Sequence, residues 1–375
     1  MAAFFVAPIL FVTIELSPTT WAVVAALFGA TASDKICRAL YPPATVLLLA
    51  LALVATSSAW SIDVSKTLAA ARDTAGYSIA GLLLANGLLN LSERDCRRIL
   101  KAFSAGCIPA LIILVGIELF IAWKSRGIPV AQFHAITLHK ITFYGAFFAI
   151  LMLSLKTRLS IFIATVYAVS TLAFGRTTGI NIAILLITIM VLVPEGYWQK
   201  LSSTGLVIYA AAALAAPVIA LPLFRHLDEA GILAFYPGTF AARLEIWEMV
   251  SRHVWDAPVL GHGANTIRNA TWMIVNPKFY VDKDLPSAHN IAIDLWFELG
   301  LIGVLAFLGI LLALLRTIKH LRGPTYFVAS AYFMTAIIEL SVDHRIWLSW
   351  VLGTIIMAAS VCILHHRSLV GEATS

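Results

Sequence analysis

Arg176 in FGRTTG, Arg243 in AARLEIW and His289 in PSAHNIAIDLW are the side chains whose types suggest a reaction. Arginine keeps its charge in poorly hydrated sites and grips phosphate oxygens through a planar fork of donors. A neutral imidazole can take a proton from a hydroxyl. Two guanidiniums and one such base suit chemistry in which an anionic group is held while a hydroxyl is activated. Each residue also has a plainer reading. Arg176 could be an arginine snorkelling at a membrane interface, Arg243 part of the polar face of an amphipathic helix, and His289 a histidine satisfied at the interface. Arg252 and Asp343, the latter in the turn SVDHRIW, are supporting candidates with the same alternatives. Pro286 and Ser287 read as a helix start with Ser287 as its cap. His289 is then expected in the first turn, where the positive helix end favours the neutral imidazole.

Metal chemistry has weaker support. His226, His253, His262 and His289 show no close ligand spacing such as HxxxH. Asp282 and Asp284 form a D-x-D pair able to hold a divalent ion beside a diphosphate, but Lys283 between them supplies a competing charge. No metal or other cofactor is expected. The Gly261–Gly263 stretch GHG lacks the Lys-Ser/Thr of a phosphate loop and reads as a turn.

The elements that position these residues are membrane helices. The composition is 60% hydrophobic and 12% charged, and mean hydropathy is +0.90. Soluble domains carry about 25% charged residues, so this surface is made for lipid. Lipid cannot satisfy open backbone groups, and no stretch alternates like a barrel strand, so the expected fold is all-α and polytopic. The net charge of +6 is scattered between apolar runs, which argues against a nucleic-acid partner and reads as topology. Cys37, Cys96, Cys107 and Cys362 avoid the long outer segment, and no disulfide is expected. The opening MAAFFVAPIL lacks the basic n-region of a cleaved leader and reads as a first span.

At about 20 apolar residues per span, the sequence reads as about 12 spans. They lie near 2–16, 18–32, 43–59, 75–91, 99–123, 139–155, 158–174, 178–193, 203–224, 288–315, 324–341 and 346–364. The short second span leaves about 11 as the alternative. The whole of 1–375 is read as one integral membrane domain. With the N-terminus inside, the short basic turns holding Lys35 and Arg38, Arg94 to Lys101, Lys156 and Arg158, Lys200, and Arg316 to Arg322 all face the cytoplasm. Residues 225–288, between spans nine and ten, then form one long periplasmic loop. Phe240, Leu244, Trp247, Val250 and Val254 recur at helical spacing inside it, giving an amphipathic helix suited to the membrane surface.

These stretches resemble the O-antigen ligase and polysaccharide polymerase superfamily. The similarity is carried by SSAWSIDVSKTL, FGRTTG, ARLEIWEMVSRHVWDAPVLGHG and SAHNIAIDLWFELGLIGVLAF. Members often carry an arginine near span six, where this chain has His139 and Lys140. The resemblance implies a lipid-glycan transferase (GT-C-like) fold in the bacterial inner membrane with its active site facing the periplasm. It implies a glycan donor on undecaprenyl pyrophosphate and an acceptor hydroxyl on lipid A–core. Arg176 and Arg243 would hold the pyrophosphate, and His289 would be the catalytic base of an inverting, metal-independent transfer; Asp343 matches less securely. A polymerase, using a second glycan as acceptor, is the alternative, and the spacing of Arg252 and Gly263 keeps it open. A lipid-linked oligosaccharide flippase would concentrate charges at the bilayer midplane, whereas Glu15, Glu118 and Glu339 fall toward outer helix ends.

Overall fold

The computed structural model describes residues 7–8, 37–124, 135–154, 157–174, 195–235, 239–274, 277–280, 285, 287–342 and 346–370. The expected spans at 18–32 and 178–193, and nearly all of 2–16, lie outside these. Among the described residues every regular element is helical. In chain order they are α1 (Tyr41–Thr56), α2 (Val64–Asn90), α3 (Glu93–Lys124), α4 (Ala135–Ser154), α5 (Arg158–Phe174) and α6 (Glu195–Glu229). There follow α7 (Ile232–Phe235), α8 (Thr239–Val254), α9 (Ile291–Lys319), α10 (Gly323–Val342) and α11 (Ser349–Val370).

Among the described residues, five segments are long and apolar enough to cross a membrane: Tyr41–Ala59, Glu93–Gly116, Thr204–Glu229, Ile291–Lys319 and Val351–Ser368. Leu48, Leu49, Val207, Ile208 and Leu305 point outward from such helices, as side chains solvated by lipid do. The described residues are all-helical, with several helices apolar enough for a multi-pass membrane protein.

Helix ends follow local chemistry more than hydropathy. α1 opens with Pro42 and Pro43 in its first turn, where a missing N–H costs nothing. α2 begins at Val64, well before the apolar run starting near residue 75. Asp63 caps it by accepting the Lys66 N–H at 3.0 Å, so a polar first half is helical too. α6 is 35 residues long, or ~52 Å at 1.5 Å per residue. That exceeds the ~30 Å hydrocarbon core, and its last turns carry Phe224 and Asp228 to α8.

Helix association in lipid depends on close packing and on polar groups finding partners. Gly145 of α4 lies under the Tyr167 ring of α5, where a Cβ would collide. Tyr332 of α10 donates to the Phe147 carbonyl of α4 at 3.1 Å. Pro217 within α6 leaves the Ala213 carbonyl without its intrahelical donor. The Trp296 indole of α9 supplies one at 2.9 Å.

Charge separates along the helix axes. The Cys37 N–H donates to Asn86 at 2.8 Å and Arg367 donates to the Leu91 carbonyl at 2.8 Å. The start of α1 and the ends of α2 and α11 therefore meet among the basic turns. The other end of α1 meets the segment after α8, through the Ala264 N–H on Ser57 Oγ at 3.3 Å.

Candidate functional site

The segment after α8 is built around a deliberate break in α9. Gly300 has φ 62 and ψ −160, which interrupts the helix and frees the Phe297 and Glu298 carbonyls and the Leu301 and Ile302 N–H groups. The stretch PVLGHG meets all four. His262 and Gly263 donate to the Phe297 and Glu298 carbonyls at 2.9 and 2.8 Å; Pro258 and Val259 accept from Leu301 and Ile302 at 2.9 and 3.3 Å. Left unpaired at membrane depth, each group would cost several kcal/mol. Close approach explains the glycines. A Cβ on Gly261 would strike the Glu298 backbone, one on Gly300 the Val259 backbone, and one on Gly263 the Ser61 side chain. The Pro-x-x-Gly-x-Gly and Glu-x-Gly motifs are two halves of one joint. The His262 ring stacks on Phe297 at 4.3 Å.

The segment SSAWSIDVSKTL closes over this joint. Trp60 Nε1 donates to the Leu260 carbonyl at 2.9 Å, the Ile62 N–H to His262 at 2.9 Å, and Thr67 Oγ1 to Ala264 at 2.8 Å. Asn269 donates to Asp63. Chiefly the Lys66 N–H holds the Asp63 carboxyl below its ordinary range; partial burial opposes it, and the Asn269 hydrogen bond adds a smaller pull downward. Glu298, buried in the joint, accepts from the Ile267 N–H at 3.4 Å and from Trp347 Nε1.

The expected amphipathic helix forms as α8, but it is packed on both sides within the protein. Leu244, Val250 and Val254 are buried, and so are two residues of its charged arc, Glu245 at 6% and Glu248 at 2% exposure. α8 runs against α6 and α9. Its buried carboxylates are tolerated because donors surround them. Glu245 accepts the Lys278, Phe279 and Tyr280 N–H groups at 2.6 to 2.7 Å, and Glu248 pairs with Arg252. Phe240 alone of the expected apolar stripe is largely exposed.

His289 lies outside the helix that the sequence reading assigned to it. α9 starts at Ile291, and its cap is Asn290, whose side chain accepts from Ala292 and Ile293 at 3.0 and 3.3 Å. Ser287 has a different task, accepting the His289 N–H at 3.1 Å. His289 is half-buried and left-handed, with φ 53, a conformation that is uncommon for a residue with a Cβ. The Ala288 N–H donates to Asp294 at 2.7 Å, and the Ala288 carbonyl accepts from Trp247 Nε1 at 2.7 Å.

That last bond joins two of the candidates. Arg243 is half-buried and sits one turn before Trp247 on the same face of α8. The indole ties that face to the residue preceding His289, so the helix that carries Arg243 is joined to the turn that carries His289 although they are far apart in sequence. Arg252 points the other way. Nine positions (252 − 243) is about half a turn beyond two full turns. It lines a cavity of about 280 Å³ with Phe224, Asp228, Met249 and Lys278, on the far face of α8. Arg176 and Asp343, and also Asp282 and Asp284, lie outside the described residues. Among the described residues no cluster of three His, Cys, Asp or Glu side chains could hold a metal. Trp247, Asp294 and Glu298 stood in the quoted motifs, but nothing in their spacing told what they hold.

Residues 159–308, running from α5 through the broken part of α9, match the family model described as O-Antigen ligase. This stretch of the chain is similar to an O-antigen ligase domain. It contains Arg176, Arg243, Arg252, the interlocked glycines and His289. Relatives called "Putative polysaccharide ligase" occur in Rickettsia felis, 29% identical over 141 residues, and in Rickettsia conorii, 28% identical over 142 residues. Each match covers 36% of this chain and 34% of the relative, so it spans about a third of those proteins' length.

Proposed function

We propose that this protein is a glycosyltransferase that moves a glycan from undecaprenyl pyrophosphate to a hydroxyl of lipid A–core, at the periplasmic face of the inner membrane. The observation that carries this reading is the Trp247–Ala288 hydrogen bond. It brings an arginine-bearing helix and a histidine-bearing turn together inside the stretch that is similar to an O-antigen ligase domain. His289 takes the proton of the acceptor hydroxyl, and the oxygen attacks the anomeric carbon. The carbon–oxygen bond to pyrophosphate breaks, and the leaving group departs with the bonding electrons. Arg243 and Arg176 hold its charge, which needs no protonating carboxylic acid. Attack opposite the leaving group inverts the anomeric centre. Asp343 is proposed as a supporting residue. Arg252 supports it indirectly by neutralising Glu248 within α8. No metal takes part.

The periplasmic assignment rests on charge. The basic turns gather at the end of the molecule opposite the α8 segment, and positive turns face the cytoplasm. The test is reconstitution of the full chain in liposomes with lipid-linked glycan and both acceptors, lipid A–core and a second lipid-linked repeat. Extension of lipid A–core, undiminished by EDTA, is expected. Extension of the second glycan alone makes the protein a polymerase, and loss with EDTA restored by magnesium removes the metal-free mechanism.

A further inference from the structure

The turn at 287–290 is held more firmly than a connection requires. Its left-handed residue, His289, has its own N–H on Ser287. The preceding residue, Ala288, is gripped on both sides, its N–H by Asp294 of α9 and its carbonyl by Trp247 of α8. Sparsely populated backbone conformations persist only where the surroundings over-determine them, and they concentrate where a side chain must be aimed. Asp294 and Ser287 are local to the turn. Trp247 is the long-range tether, 41 residues away in sequence. It packs between the main core and the small cluster of Leu233, Ala241 and Leu244, which limits how the ring can move.

We propose that Trp247 is a positioning residue acting through His289: by holding the Ala288 carbonyl it fixes the turn that aims His289 and keeps it in register with Arg243. This rests on the reading of His289 as the base. The indole N–H is committed to the peptide, so the residue contributes through geometry and not through contact with the sugar.

The experiment is a kinetic double-mutant cycle on the reconstituted full chain. Trp247→Phe keeps an aromatic ring and removes the N–H. Misplacing a reacting group by about an ångström costs about a hundredfold, so kcat at saturating donor should fall about ten- to a hundredfold while donor KM stays within about twofold. The acid limb of the pH profile should persist. In a His289→Ala background the same change should have no further effect, because the group it aims is gone. Benzothienylalanine at position 247, isosteric with tryptophan but lacking the N–H, should reproduce the loss if the phenylalanine variant does not fold. Losses that multiply across the cycle, an effect confined to donor KM, or full activity of the benzothienyl protein would each overturn the proposal and leave His289 as the base. Full activity of His289→Ala would instead remove the base reading, and this inference with it.

Discussion

His289 adopts a backbone conformation that costs of order 1–3 kcal/mol for a residue with a Cβ, and it does so within a turn pinned by Ser287, Asp294 and Trp247. A merely structural position here would be better filled by glycine. Retaining an imidazole fits a side chain that is needed for its chemistry. General base catalysis contributes about a hundred- to ten-thousandfold, so His289→Ala should lower turnover at saturating donor by that range with little change in donor KM. The sign of the pH dependence follows from the role. Only neutral imidazole accepts a proton, so wild-type turnover falls as acid protonates the ring, and the variant should lose that limb. A variant that keeps the limb places the titrating group elsewhere. Arg176→Ala should raise donor KM and lower kcat, and Arg176→Lys should recover only part, because an ammonium supplies charge without the bidentate fork. Equal activity of alanine, lysine and arginine at 176, in folded protein, removes it from the site.

The broken α9 explains a motif that composition leaves opaque. A helix interrupted within the apolar part of the chain releases two carbonyls and two N–H groups. The 258–263 stretch returns a partner to each, at a spacing only glycine permits. Gly300→Ala combines a positive φ with a collision against Val259, so it should destabilise the protein by at least about 1–3 kcal/mol and reduce transfer by displacing the turn at the head of the same helix. Gly309→Ala, further along α9 with open space around its added Cβ, should be neutral or stabilise by about 0.5–1 kcal/mol. Thermal midpoints of the two variants in detergent, measured beside activity, decide the matter. Equal behaviour of the two would mean that the joint is not what holds α9 in its broken form.

At the scale of the molecule, the decisive feature is that the basic turns and the α8 segment sit at opposite ends. α1 alone separates Cys37 from Ser57 by 16 helical residues, ~24 Å at 1.5 Å per residue. Orientation can therefore be read with single cysteines in a cysteine-free background. A membrane-impermeant maleimide added outside spheroplasts should label Trp272→Cys, whose native side chain is exposed beside the joint, and should spare His320→Cys at the far end of α9. The reverse pattern would turn the protein over and place the proposed site in the cytoplasm.

Much of this architecture could be read without coordinates. Where α1, α3, α6, α9 and α11 run is dictated by apolar run length, because a helix in lipid closes its own backbone hydrogen bonds and needs no distant partner. The charged termini of these runs, and the residue types at 176, 243 and 289, are likewise local facts. What the sequence left open depends on partners far along the chain. Glu245 and Glu248 belong to the polar arc of the expected amphipathic helix, yet they are buried because backbone N–H groups from 278–280 and Arg252 meet them. His289 looked like a first-turn residue, yet Asn290 outcompetes Ser287 as the cap while Asp294 and Trp247 hold the residue before it. Gly300 falls inside the expected span 288–315, and it breaks α9 because a stretch some 40 residues upstream supplies the missing hydrogen bonds. Periodicity reports which face of an element is apolar. Which donor meets which acceptor across such separations is decided only when the chain has closed on itself.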